Sequence, residues 1–344
     1  MKQLLNTLFV TTPNAYLRLE GETVCVDVER EKKLQVPLHH LGGIVTFGEV
    51  LLTPTLIRRC ANDGRSVVLL DRHGQFSARV EGPVNGNILL RQAQYRAASD
   101  LTTTLAVARA CVAGKLRNSR YVLLRGARDT RADTDAQALR QAAKVLANHV
   151  RQLPTTTNLD MLRGLEGDAA RVYFAAIPHV MRADQRVTFH FTQRSRRPPL
   201  DRFNALMSFL YTLLTTDCRS ALEGVGLDPQ LGFLHAIRPG RPALALDLLE
   251  EFRPVLADRL ALTLVNRGQL TAEHFEPRAG GAVYLNAEGR KVVLSAYQQR
   301  KQEEVTHPVL EQTVPIGLLP HVQARLLARM LRGDMEGYIP FLSR

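Results

Sequence analysis

A change of hydrophobic period part-way along the chain limits the fold more than any other feature. Up to about residue 80 the apolar residues come in short runs of strand length. Tyr16, Leu17 and Leu19, then Val24, Cys25, Val26 and Val28, flank Glu20-Gly21-Glu22 as in a hairpin. Gly43-Ile44-Val45-Thr46-Phe47 and Ser66-Val67-Val68-Leu69-Leu70-Asp71 bracket a helix predicted over Thr53–Ala61. Thr53 can cap that helix, and Pro54 suits its first turn. Phe76–Val80 is the last strand candidate, and 81–87 is dense in turn residues and reads as a linker. From Ile88 onward the period is helical, in stretches over Ile88–Ala127, Thr134–Gln152, Asn158–Ala176, Phe203–Glu223, Leu244–Asn266 and Leu318–Arg332. The pattern predicts an α+β chain: a small N-terminal β-rich domain over 1–80, the linker over 81–87, and a larger all-α domain over 88–344.

Composition narrows the function. Hydrophobic residues make up 45% of the 344, enough to build a core, which excludes a disordered or collagen-like chain. Lys and Arg number 45 against 33 Asp and Glu, a formal charge of +12. That balance points to an anionic partner, with nucleic acid first, against the alternative of a basic surface that only aids solubility. Cys25, Cys60, Cys111 and Cys218 form no C-x-x-C pair, so they read as buried small hydrophobes in a reducing compartment. The first ten residues are too polar for a signal peptide, and no apolar run nears the roughly 20 residues of a membrane helix. The expectation is a cytoplasmic protein without a membrane partner.

Nucleotide-binding glycine loops, the nucleophile-elbow serine motif and H-E-x-x-H are all absent from the sequence. Three weaker signals remain. Glu166 falls inside the stripe Leu162, Leu165, Ala169 and Tyr173, where a carboxylate must be paired, protonated or bound to a cation. Its alternative is an ion pair with Arg163 or Arg171. His235 stands between apolar residues just before a basic turn, as a metal ligand or a hydrogen-bonded core histidine. Asp247 and Glu250, three apart, share one helix face, as a cation site or a solvated acidic face.

Together these supply oxygen and nitrogen ligands suited to Mg²⁺ or Mn²⁺, which on a basic protein means phosphodiester chemistry. Basic residues cluster at Lys115, Arg117, Arg120, Arg125, Arg128 and Arg131, and again at Arg182, Arg186, Arg194, Arg196 and Arg197. Arg238 and Arg241 follow His235. These are candidate backbone clamps, or else a solvated face paired with Asp129, Asp133 and Asp184.

The blocks Gly164-Leu165-Glu166-Gly167 with Ala169-Ala170 and Tyr173-Phe174, and Arg194-Ser195-Arg196-Arg197-Pro198-Pro199 with Asp201, Asn204-Ala205-Leu206 and Ser208-Phe209-Leu210-Tyr211, are distinctive. So are Gly226-Leu227-Asp228-Pro229, Gly232-Phe233-Leu234-His235 and Leu246 to Pro254, with Lys115, Arg117 and Asn118 as a further short block. In this order they resemble the CRISPR-associated spacer-acquisition integrases, most closely the type I-C form. The resemblance implies a metal-dependent DNA integrase and endonuclease whose catalytic part is the helical domain. Glu166, His235 and Glu250 would be the catalytic metal ligands, with Asp247 supplementing or orienting them, and the cofactor Mg²⁺ or Mn²⁺. Lys115, Arg117, Arg194, Arg196 and Arg197 would contact DNA, and the position of Arg238 and Arg241 just after His235 adds them as DNA contacts that steady the scissile phosphate. The 3′-hydroxyl of a captured double-stranded fragment would attack the end of a CRISPR repeat. The resemblance further implies a homodimer formed through the N-terminal domain, and a heterohexamer with a small companion adaptation protein. A non-catalytic DNA-binding scaffold and a general branched-DNA nuclease are the competing readings.

Overall fold

The computed structural model describes residues 6–72, 76–80, 82 and 88–343. Most of the expected linker at 81–87 lies outside the described residues. The chain divides into two compact units, one of 1–85 with 286–294 and the other of 86–285 with 295–344. The first therefore takes in a short piece from the range expected to be helical.

In the first unit the strands are β1 (Asn6–Val10), β2 (Tyr16–Glu20), β3 (Thr23–Val28), β4 (Glu31–Pro37), β5 (Leu41–Phe47), β6 (Leu51–Leu52), β7 (Ser66–Leu70) and β8 (Phe76–Val80), with helix α1 (Pro54–Asn62) between β6 and β7. One sheet runs β4-β3-β2-β6 and the other β1-β5-β7-β8. β2 and β3 form the expected antiparallel hairpin, turning through Gly21 at φ 58°, a left-handed conformation that glycine adopts without steric cost. β5 and β7 are parallel and joined through α1. The Thr53 side chain accepts from the Leu56 N–H at 3.3 Å, with Pro54 in the first turn, as the sequence predicts. One core fills the unit: Leu17, Val24 and Val26 from one sheet, Val10, Ile44 and Val67 from the other, and Leu56 and Cys60 from the helix.

The second unit is built on helices α2 (Ile88–Ser99), α3 (Leu101–Asp129), α4 (Asp133–Gln152), α5 (Leu159–Val180), α6 (Arg202–Gly224), α7 (Ala243–Phe252), α8 (Arg259–Asn266) and α10 (Leu319–Leu331). Helix α9 (Ala287–Gln302) begins in the first unit and ends in the second. Two three-residue antiparallel ladders, β9 (Phe275–Pro277) with β10 (Val283–Leu285) and β11 (Glu304–Thr306) with β12 (Thr313–Pro315), complete it. The sequence reading missed α9 and both ladders. Helix α3, 29 residues long, packs against α2, α4, α5 and α7 and forms the axis of the unit.

Two expected helices are interrupted. Ile88–Ala127 breaks at Asp100, whose side chain accepts from the Thr103 N–H at 2.9 Å and starts a new helix. Leu244–Asn266 widens into a π-helical turn over Arg253–Asp258. Pro254 lies in it, and a proline offers no N–H to the helical ladder and crowds the preceding turn. All four cysteines are buried and free. No helix among the described residues is long and apolar enough to cross a membrane.

Candidate active site

Every acidic and histidine candidate lies in the second unit, on helices α5 and α7 packed against α3 and on the loop that carries His235. Helix α5 starts where the Asn158 side chain accepts from the Met161 N–H at 2.9 Å, and it buries Leu162, Ala169, Tyr173 and Ile177. Glu166 belongs to that inward stripe and keeps 24% of its side chain exposed. Neither Arg163 nor Arg171 pairs with it. Arg163 instead donates to the Leu234 carbonyl at 2.9 Å, and Arg171 pairs with Asp168. The Glu166 partner is Lys115 of α3, whose ammonium also lies 2.7 Å from Glu250 Oε2.

The loop carrying His235 is fixed to α7 by one carboxylate. Asp247 is fully buried and accepts from the backbone N–H groups of Phe233, Leu234 and His235 at 2.6, 3.0 and 2.9 Å. Only glycine fits at 232, because a Cβ there would stand 2.7 Å from Asp247 Oδ2 and as near to the Ala243 backbone. Asp247 Oδ1 also meets His235 Nδ1 at 2.7 Å. A carboxylate facing Nδ1 favours a proton there. His235 Nε2 faces Glu250 Oε1 at 3.7 Å.

Glu250 is nearly as enclosed as Asp247, at 2% exposure. Burial by itself pushes its carboxyl up, but Arg253, Lys115 and His235 outweigh burial and hold it down at about 2. Arg253 Nη1 lies 2.7 Å from Glu250 Oε1, one helical turn on. Lys115 shows the reciprocal effect: burial lowers its pKa, and the charges of Glu250 and Glu166 more than restore it. Behind Arg253, the Tyr211 ring lies 4.8 Å below the guanidinium, and Tyr211 and Tyr173 donate to Asp258 at 2.7 and 3.0 Å. Burial lifts the Asp258 carboxyl to about 6.

A divalent cation suits this donor set. Glu250 Oε2 is buried with only the Lys115 ammonium beside it, His235 Nε2 points at the other carboxylate oxygen, and Glu166 and Glu250 already reach one positive charge. Acceptors gathered so closely need a cation among them. Among the described residues no three such side chains are already gathered at ligand spacing, and the Lys115 ammonium bridges Glu166 and Glu250. Glu166, His235 and Glu250 would hold the ion, while Asp247 is occupied with the loop and the imidazole.

The basic residues separate into different settings. Lys115 is buried within the site. Arg194 is half-buried and donates to Asn204 at 2.7 Å and Ser208 at 2.9 Å. Arg117, Arg196, Arg197 and Arg238 are exposed and Arg241 is half-buried. Burial and the repulsion of Arg238, Arg196 and Arg197 lower the Arg241 pKa, so these four guanidiniums share one electropositive patch beside the His235 loop. Arg253 had no role in the sequence reading, although its spacing from Glu250 is the helical ion-pair signal.

Residues 8–299 match the sequence profile of the family described as CRISPR associated protein Cas1. The chain is 58% identical over 344 residues, covering 100% of both chains, to a Moorella thermoacetica protein named CRISPR-associated endonuclease Cas1 1. Its fold is similar to that of a chain in a Cas6-RT-Cas1–Cas2 complex, with TM-score 0.84 and 21% identity over 100% of this chain and 37% of that one. It is also similar to that of a casposase bound to integration product, with TM-score 0.81 and 21% identity over 97% of this chain and 92% of that one.

Proposed function

The chain belongs to the Cas1 family of CRISPR-associated endonucleases, and from that premise we propose that it is a metal-dependent DNA integrase of CRISPR adaptation, joining the 3′-hydroxyl ends of captured fragments to the repeat. The observation that supports the metal-dependent chemistry is that Glu166 and Glu250 share one ammonium while His235 Nε2 lies 3.7 Å from the other Glu250 oxygen. Mg²⁺ or Mn²⁺, when bound, supplies activation of the attacking oxygen and charge for the phosphodiester. The chain's own residues prepare the site. Asp247 fixes the His235 tautomer and the backbone that carries it. Arg253 and Lys115 keep Glu250 ionised in a site that would otherwise protonate it. Arg196, Arg197, Arg238 and Arg241 draw the polyanion to the mouth of the site.

We assign to the β-rich unit the homodimer contact, and to the dimer a small companion adaptation protein in a heterohexamer. The complex of Cas1 and Cas2 among the fold neighbours and the sequence blocks support that assignment. The same blocks support the type I-C form, and the four free, buried cysteines support a cytoplasmic setting.

The test is strand transfer with purified protein, a labelled 3′-hydroxyl duplex and a repeat-bearing supercoiled plasmid, in Mn²⁺ or EDTA, with and without the companion. Label joined to plasmid, and lost with EDTA and in Glu166→Ala, is the expected result. Metal-dependent nicking without joining would leave a nuclease of branched or other DNA. Binding with neither activity would leave a scaffold in which Lys115 permanently neutralises the carboxylates.

A further inference from the structure

Far from the carboxylates, the second unit holds another charged concavity. A cavity of about 700 Å³ opens where the end of α3, the start of α4, the end of α5 and helix α8 meet. Arg125, Arg131, Arg182, Arg186, Arg259 and Arg267 line it. Ten residues of α3 separate Arg125 from Lys115, about 15 Å of helix, so this is not an extension of the active site.

Three aspartates share the lining, and each already has a partner. Asp135 pairs with Arg186 at 2.5 Å and His179 at 2.7 Å, Asp184 with Arg182 at 3.2 Å, and Asp129 with Arg125 at 3.6 Å. Among the described residues no carboxylate stands within ion-pair reach of Arg131, Arg259 or Arg267, while Arg131 and Arg267 are exposed at the rim. Arg259 is half-buried, and burial and the like charges of Arg300 and Arg125 outweigh Tyr121 and Glu303 and lower its pKa. The helix ends of α3 and α5 pull the other way. Each C-terminus carries only about half a negative charge, and three whole positive charges remain after the aspartates are counted.

The lining contains no aromatic or histidine side chain on which a base could stack. It offers guanidinium groups, which match phosphate oxygens two at a time, in a volume typical of ligand cavities. We propose that this cavity is a second phosphate site, binding several phosphate groups of one polyanion without recognition of a base. A free oligophosphate and the backbone of a DNA strand both present that chemistry.

Calorimetric titration of the full chain with sodium tripolyphosphate at low salt tests it. Saturable binding is expected, at least about tenfold weaker in Arg131→Gln/Arg267→Gln and unchanged in Glu166→Gln. Both arginines are exposed, and Arg131→Lys/Arg267→Lys is expected to recover part of the affinity, which separates charge from folding. Displacement of a short labelled thymidine oligonucleotide by tripolyphosphate, lost in the Gln pair, identifies the DNA backbone as the source. Tripolyphosphate binding without displacement identifies a free oligophosphate. No saturable binding, equal affinity in the Gln pair, or loss in Glu166→Gln overturns the proposal.

Discussion

Glu250 and Glu251 are neighbours on α7, equally buried, and the chain uses them in opposite ways. Glu250 faces Lys115, Arg253 and His235 and is held ionised, at about 2. Glu251 turns to the other side, where its partners are neutral. The Gln323 amide donates at 2.9 Å and the Phe341 N–H at 2.7 Å, and the Tyr338 hydroxyl is hydrogen-bonded to the other oxygen. With no cation beside it, burial raises Glu251 to about 8. Asn118 ties the same tail down through the carbonyls of Glu251 and Phe341. Gly114 lets the two elements close on α3, since a Cβ there would lie 2.9 Å from Pro340 and 3.1 Å from the Glu251 side chain. Identity and burial are therefore not what makes a carboxylate available for chemistry. The charge of its neighbours decides, with guanidinium and ammonium on one face and amide and phenol on the other.

The strongest way to break this comparison is to exchange the roles. Glu250→Gln is expected to reduce DNA cleavage at least about a hundredfold, since it removes an ionised carboxylate from the proposed metal site, whereas Glu251→Gln should leave cleavage within about threefold because its hydrogen bonds can be rebuilt. Equal losses in a gel-based nicking assay would sink the distinction. Asp247→Asn should cost about 10- to 100-fold in activity by freeing the His235 tautomer. Isotope-resolved NMR of the imidazole nitrogens would show the proton leaving Nδ1 in that variant.

Stability sharpens the other half. Glu251→Ala leaves the Gln323, Tyr338 and Phe341 donors without an acceptor, and a loss of about 3 kcal/mol is expected in urea unfolding, from about 1–3 kcal/mol per buried unsatisfied group. The pH dependence has a definite sign. Because the folded Glu251 carboxyl is raised from its ordinary 4.5 to about 8, its contribution is fully present below about pH 4.5 and is lost as the pH rises toward 8. Melting of wild type should therefore fall by a few degrees relative to Glu251→Gln between pH 6 and 9, on the order of 2–4 °C per kcal/mol; a flat difference would mean that Glu251 is not protonated in the fold. The smallest effect belongs to the open surface. Arg196→Gln should weaken DNA binding uniformly across sequences and flatten its salt dependence by about one counterion.

Much of this was legible in the sequence because it depends on local chain physics. The hairpin at Gly21, the capped helix after Thr53 and the switch to helical period each rest on a few adjacent residues. Glu166 stands out in the sequence as a charge on an apolar stripe, and the blocks around His235 and Glu250 nominate the other two candidates. The interruptions at Asp100 and Pro254 carried local signals as well, but the apolar period runs through both and concealed them.

The partners of those residues could not be read in the same way. The Lys115 position on α3 suggested a DNA clamp, and only the packing of α5 and α7 against α3 turned its ammonium inward. Two basic clusters in the sequence are redistributed by the fold. Arg125 and Arg131 join Arg182 and Arg186 at the second cavity, while Arg196 and Arg197 join Arg238 and Arg241 beside the active site. The sequence by itself determined which segments are strands and helices and which residue types carry chemistry, because period and capping act over a few residues. Tertiary structure alone decided which charge faces which, because Coulomb and desolvation energies depend on distances between segments far apart in the chain.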